Sequence, residues 1–163
     1  MGKWKTQRTL LIVGEGYDEL AFLYHVKSLF SERESGQRII LKNARGKGAQ
    51  HVIDWTIRQV GNFAYDTVAA LLDTDTTCWT TALIKKAKYN KIQILPSEPC
   101  LEAMLLRVLG KSDIGDAKTL KKRFAPYVGN HSTEKGNYGK YFTKNVLLAT
   151  QEPTICQLLK LLQ

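Results

Sequence analysis

Three carboxylates stand where apolar runs stop: Glu15 after Leu10-Leu11-Ile12-Val13-Gly14, and Asp73 and Asp75 after Val68-Ala69-Ala70-Leu71-Leu72. In an extended turn, a D-x-D spacing directs both side chains to one side, because side chains alternate with a period of two. Both could then reach one cation. A hard ion such as Mg2+ or Mn2+ takes oxygen ligands and keeps several waters, so two or three carboxylates plus substrate phosphate oxygens would complete its shell. Asp also caps helices and shapes turns, and the spacing alone leaves both uses open.

Further residues could join this chemistry. Glu102 sits among Ala103, Met104, Leu105 and Leu106, where a buried carboxylate needs a partner. Ser97 and Glu98 follow the last apolar run and could line the same place, Glu98 being the weaker candidate. Arg45 and Lys47 lie in a Gly-rich segment that could hold phosphates or be a solvated loop. Gly14-Glu15-Gly16 lacks the third glycine of a dinucleotide fingerprint, because position 19 is Glu, and Gly46-Lys47-Gly48 lacks the Lys-Ser/Thr ending of a P-loop.

Elements that would position these groups are legible in the apolar pattern. Arg8 to Val13 is a continuous apolar run of the kind a strand shows when covered on both faces. Asp18 to Phe30 has a helical period, with Asp18 and Glu19 in the favourable first turn. Gln37 to Asn43, Thr67 to Leu72 and Lys91 to Leu95 read as further strands. Ala49 to Val60, Ala82 to Lys88 and Pro99 to Leu109, with Pro99 in the first turn, read as helices. This alternation predicts a three-layer, Rossmann-like α/β fold with a mostly parallel four-stranded sheet, and functional residues at the strand C-termini.

Past Gly110 the pattern weakens to a basic helix (Ala117 to Phe124), a Gly/Asn-rich loop (Val128 to Tyr141) and two short helices (Phe142 to Ala149, Pro153 to Leu162). The expected organisation is an α/β domain over residues 1–110, with a small helical, basic C-terminal extension (111–163) packed on it.

The charge of +9 is uneven. Residues 1–82 hold 10 Lys+Arg against 9 Asp+Glu, a net of +1, whereas residues 83–163 hold 14 against 6, a net of +8. Clusters at Lys85-Lys86-Ala87-Lys88, Lys118 to Arg123 and the Lys135/Lys140/Lys144 series would attract a polyanion or simply solvate helix faces. Tyr138, Tyr141 and Phe142 interleave with Lys140 and Lys144, a combination that stacks bases or packs the extension onto the sheet. His25 reads as a helix-surface residue, His51 as an N-terminal residue of the second helix, and His131 as a loop residue available for proton transfer. Cys78, Cys100 and Cys156 form no CxxC pair and read as small apolar side chains, without a disulfide or zinc framework. No apolar run approaches the roughly 18 residues of a bilayer span, and a cytoplasmic protein is expected.

A family likeness joins these pieces. Leu11-Ile12-Val13-Gly14-Glu15-Gly16-Tyr17-Asp18-Glu19 resembles the first Toprim motif, and Leu71-Leu72-Asp73-Thr74-Asp75 resembles the second. Pro96-Ser97-Glu98-Pro99-Cys100-Leu101-Glu102-Ala103-Met104-Leu105-Leu106 resembles the S-x-P-C-x-E-x-x-L segment of RloB-like and OLD-type Toprim proteins. The resemblance spans about residues 8–110 and departs from the simplest pattern at Tyr17-Asp18, where a Lys and Ser/Thr pair is frequent. It implies a catalytic Glu15, Mg2+ on Asp73 and Asp75, and Glu19 and Glu102 completing a second metal site. The implied activity is metal-dependent nuclease chemistry in bacterial or phage defence, on RNA or transfer RNA among other substrates. OLD-type domains are often paired with an ATPase, here necessarily on a separate chain. A noncatalytic Toprim module that binds nucleic acid or such an ATPase is the alternative.

Overall fold

A computed structural model describes residues 7–32, 36–75 and 78–163. Its centre is a four-stranded, all-parallel sheet of β1 (Arg8–Gly14), β2 (Gln37–Asn43), β3 (Thr67–Asp73) and β4 (Ile92–Ser97) in the spatial order β2-β1-β3-β4. Helices α1 (Tyr17–Phe30), α2 (Gly48–Asn62), α3 (Thr81–Tyr89) and α4 (Leu101–Val108) follow the four strands in turn. This is the expected three-layer α/β arrangement.

The continuous apolar runs of β1 and β3 are explained by burial on both faces. Leu10, Ile12, Ala69 and Leu71 face a layer containing Phe22 and Val26 of α1 and Met104 and Leu105 of α4. Their neighbours Leu11, Val13, Ala70 and Leu72 face the opposite layer, with Val52 and Ile53 of α2 and Leu83 and Ala87 of α3. A period-two strand inserted between two apolar layers has no polar position to spare.

The topology also fixes where a site can form. From β1 the chain crosses through α1 to β2 on one flank, then returns through α2 to β3 on the other. The connections leaving the adjacent strands β1 and β3 therefore diverge, and a crevice opens beyond their C-terminal ends, the position where open α/β sheets take ligands. Gly14 ends β1 there, and a Cβ on it would lie 3.1 Å from the Leu20 nitrogen and 3.2 Å from the Glu19 Cβ. A side chain here would require the start of α1 to move back by a few tenths of an ångström.

The C-terminal part comprises α5 (Ala117–Phe124), 3₁₀ turns at Ala125–Val128 and Lys135–Tyr138, α6 (Lys144–Ala149) and α7 (Pro153–Leu162). Leu120, Phe124, Tyr138, Phe142, Ile155 and Leu158 belong to the same core layer as Leu10 and Ile12. The segment expected as a Gly/Asn-rich loop is thus partly ordered by its aromatics: the Tyr138 and Phe142 rings lie 5.7 and 6.2 Å from that of Phe22. Both are fully buried, which settles their role as packing, while Tyr141 stays at the surface.

His25, expected on the helix surface, is buried, with Nε2 2.6 Å from the Phe142 carbonyl. A carbonyl can only accept, so that nitrogen carries the proton. Two helix and strand ends also differ. β4 continues through Pro96 and Ser97, as an edge strand permits for proline. α4 begins at Leu101, so Pro99 precedes the helix. Among the cysteines, Cys100 is buried as expected, Cys156 is half-buried, and Cys78 is exposed. No helix among the described residues is long and apolar enough to cross a membrane.

Gly14→Ala should destabilise the fold by about 1–3 kcal/mol, the usual cost of forcing extra volume into a packed contact. Denaturant unfolding tests this, and an unchanged midpoint would show that the β1–α1 approach is not tight.

Candidate carboxylate site

Glu15 is placed by a sheet-edge crosslink immediately after β1. Its N–H donates to the Leu71 carbonyl at 3.0 Å, and its carbonyl accepts from the Gly46 N–H. The Asp73 N–H donates to Glu15 Oε2 at 2.8 Å, and the Gly48 N–H at the start of α2 is a second backbone donor to that carboxylate. Asp73, the last residue of β3, accepts from the Leu101 N–H through Oδ1 at 2.9 Å, satisfying one of the free amides at the start of α4. Glu19, in the first turn of α1, accepts from the Gly16 N–H through Oε2 at 2.9 Å. Each of the three carboxylates thus has a backbone N–H on one oxygen.

One carboxylate oxygen from each of Glu15, Glu19 and Asp73 lies within 4.8 Å of the others. This triad could hold a metal ion. Glu102, only 7% exposed, lines the same cleft of about 330 Å3, together with Tyr17, Asp18, Lys121 and Thr133. The Cys100 thiol, pushed up to about 12 chiefly by burial, lies near both Glu102 and Asp73 and is inert as a nucleophile in that state.

The electrostatics of this arrangement are those of a partly buried cluster of mutually repelling carboxylates. Burial and the neighbouring Glu19, Glu15, Glu102 and Asp75 carboxylates raise Asp73 to about 9. Burial, followed by the charges of Glu15, Asp18 and Glu102, raises Glu19 to about 7 despite its backbone hydrogen bond. Glu15 is also raised, mainly by burial, with its two amide donors opposing the shift. Ion pairs among the described residues lie elsewhere: Lys86 with Asp54, and Arg107 with Asp113 and Glu152. Oxygen-only donors, mutual repulsion and partial burial are the donor chemistry of a hard divalent cation.

The other residues singled out in the sequence fall in several places. Asp75 is exposed and outside the triad: beyond Asp73 the chain leaves the sheet, and the N–H groups of Thr74 and Asp75 both donate to the Pro99 carbonyl. Strand alternation no longer governs there, so Asp75 adds charge to the rim rather than an inner ligand atom. Ser97 is fully buried beside Asp73 in the sheet register, its hydroxyl without a hydrogen-bond partner among the described residues. Glu98 is exposed and contributes its carbonyl to Arg107.

Arg45 and Lys47 are exposed in the loop whose Gly46 and Gly48 amides meet Glu15, so they stand at the same sheet edge as the carboxylates. Lys85 is exposed on α3. Lys140 packs over the Tyr141 ring at 5.3 Å. The Lys144 ammonium lies 5.5 Å from the ring of Phe30 at the far end of α1, which the topology puts at the opposite sheet edge from the triad. His51 bonds the Ala44 carbonyl at 3.0 Å, and His131 is exposed.

Sequence reasoning missed the cleft's far wall. Lys121 belongs to a basic cluster noticed only for its charge, and its place on α5 facing Glu102 and Asp18 follows from how Leu120 and Phe124 anchor that helix. Ser132 donates to Asp18 at 2.7 Å, and the Tyr138 hydroxyl donates to the Ser132 carbonyl at 2.7 Å, tying this wall to α1. Neither residue lies in a recognisable motif. Compared with protein-family models, curated proteins and solved structures, the chain gives no match.

The shifted carboxylates couple stability to pH. An acid whose folded value is raised keeps its proton in the folded state after the unfolded chain has lost it, so stability falls as pH rises between the two values. For Asp73 that window runs from 3.8 to about 9, and for Glu19 from 4.5 to about 7. Without divalent cation the melting temperature should therefore fall between pH 5 and pH 9. Asp73→Asn should flatten that slope, and Mn2+ should stabilise the wild type more at pH 8 than at pH 5. A metal-free melting temperature that rises over this range would contradict the electrostatic account.

Proposed function

We propose that the chain is a Toprim-type, metal-dependent nuclease that hydrolyses phosphodiester bonds in nucleic acid, with Mg2+ or Mn2+ held by Glu15, Glu19 and Asp73. The observation that carries this reading is the convergence of those three carboxylates at the β1/β3 crevice, with Glu102 beside them and no ion pair among the described residues to offset their charge. It agrees with the ordered resemblance to the two Toprim motifs and to the Ser97-to-Glu102 segment. The surplus of +8 in residues 83–163 supports a polyanionic substrate.

A divalent cation bound here supplies a Lewis acid and an acidified water for phosphodiester hydrolysis. The chain's own residues divide the remaining work. Asp73 and Glu15 are held in fixed orientation by backbone N–H donors, Leu101 on Asp73 and both Asp73 and Gly48 on Glu15. Glu19 would complete the oxygen donor set from the first turn of α1, where its Oε2 is oriented by the Gly16 N–H. Lys121 on the far wall and Arg45 and Lys47 on the rim attract phosphate. The leading context is bacterial or phage defence, with RNA or transfer RNA as substrate and an ATPase on a separate chain as a partner.

A noncatalytic Toprim module that binds nucleic acid or a partner ATPase is favoured by two observations. Asp75 lies outside the triad, and backbone amides already occupy one oxygen on each inner carboxylate, as in a purely structural crosslink.

Labelled single-stranded RNA, duplex RNA, transfer RNA and DNA, incubated with Mg2+ or Mn2+ and then with chelator, separate the two readings. The nuclease reading expects metal-dependent cleavage that falls at least about 100-fold in Glu15→Gln and in Asp73→Asn, with nucleic-acid binding retained. Binding without cleavage of any substrate, even beside the partner ATPase, leaves the noncatalytic module.

A further inference from the structure

The edge of the sheet formed by β4 has the construction of a peptide-docking groove, and this is independent of the carboxylate site. β4 is last in the strand order, and among the described residues only β3 pairs with it. In a parallel ladder, alternate residues of a strand aim their N–H and C=O groups at opposite sides. The Ser97 carbonyl accepts from the Thr74 N–H, which places the odd-numbered residues of β4 towards β3. Pro96, of opposite parity, has no N–H, and its carbonyl accepts the Thr154 hydroxyl of α7 at 2.6 Å. Ile92 and Ile94 share the parity of Pro96, so their N–H and C=O groups face the open edge.

That stretch of edge lies in a groove of about 440 Å3 between the two helical layers. Ile84 and Lys88 of α3 form one wall, Gln157 of α7 lies on the other, and Lys91, Ile92 and Ile94 line the floor. Ile84 is 41% exposed although apolar. The lining holds two lysines and no carboxylate.

We propose that this groove binds an extended segment of a partner protein whose side chains on the α3-facing side include a carboxylate and, two residues away, an apolar group. An added strand pairs with the outward N–H and C=O groups of Ile92 and Ile94, the usual mode of strand addition to an exposed sheet edge. Alternate side chains of the added strand face α3, where an apolar group meets Ile84 and Ile94 and a carboxylate two residues away on the same strand face meets Lys91 and Lys88, one helical turn from Ile84. A second copy of this chain fits less well, because it brings two further lysines into an already cationic groove. Nucleic acid offers no strand ladder to pair with the edge, and the groove is floored with isoleucine.

The test uses the full chain and a synthetic, end-blocked peptide with Glu and Val or Ile at successive positions of one strand face and Thr at every intervening position, its binding followed by fluorescence anisotropy and by amide hydrogen exchange. Binding should slow exchange at Ile92 and Ile94. It should weaken about tenfold or more in Ile84→Asp and in the double variant Lys88→Glu/Lys91→Glu, both surface changes. A peptide with Lys in place of Glu should not bind. The proposal is overturned if the acidic peptide fails to bind or binds these variants equally well. Concentration-dependent dimerisation that protects the same two amides would assign the edge to a second copy instead, and a single-stranded oligonucleotide that displaces the peptide would assign it to nucleic acid.

Discussion

Three carboxylates are held within 4.8 Å of one another, partly or almost wholly out of water, and every other feature of the crevice answers to their repulsion. Left to themselves, such groups would separate or take up protons. Here backbone amides hold them in place: Asp73 N–H and Gly48 N–H on Glu15, Leu101 N–H on Asp73, and Gly16 N–H on Glu19. Those amides orient the acids without neutralising them, and Asp73 and Glu19 retain raised proton affinities of about 9 and about 7. A divalent cation could relieve this repulsion, as protons otherwise do.

The fold supplies these amides because of its topology. β1 and β3 are neighbours whose connections diverge, so the starts of α1, α2 and α4 all fall at one sheet edge. Helix starts present unpaired N–H groups, and three of them are satisfied by acidic side chains that are also candidate ligands. Gly14 matters at the same point, since a Cβ there would press on the Leu20 nitrogen and the Glu19 Cβ at the start of α1. The C-terminal part closes the crevice, with Lys121, Ser132 and Thr133 brought to it by the burial of Leu120, Phe124 and Tyr138.

Features governed by local periodicity were legible in the sequence. The apolar runs ending at Gly14 and Leu72 marked the central strands, and the acids at their ends marked the crevice, because burial on both faces leaves a direct trace in residue type. Glu102 was legible for the same reason, as a carboxylate on an apolar helix face. What depended on contacts between distant segments was not. The burial of His25 depends on a carbonyl 117 residues away, and the far wall of the cleft depends on aromatic packing in a segment that reads as loop. Asp75 shows the limit of a local rule: the period of two that would align it with Asp73 ends where the strand ends, and the Pro99 carbonyl draws the turn elsewhere. Lys144 was grouped with Lys140 by spacing, yet its ammonium lies against Phe30 at the other end of α1.

The central claim is that Glu15, Glu19 and Asp73 form one divalent-cation site. Anomalous diffraction from crystals grown with Mn2+ tests it most directly, because the signal locates the metal independently of any assayed activity. The account predicts a manganese peak within coordination distance of oxygens from all three side chains, lost in Asp73→Asn. Manganese bound only at other surface carboxylates, with the three side chains still closed on their backbone amides, would contradict it.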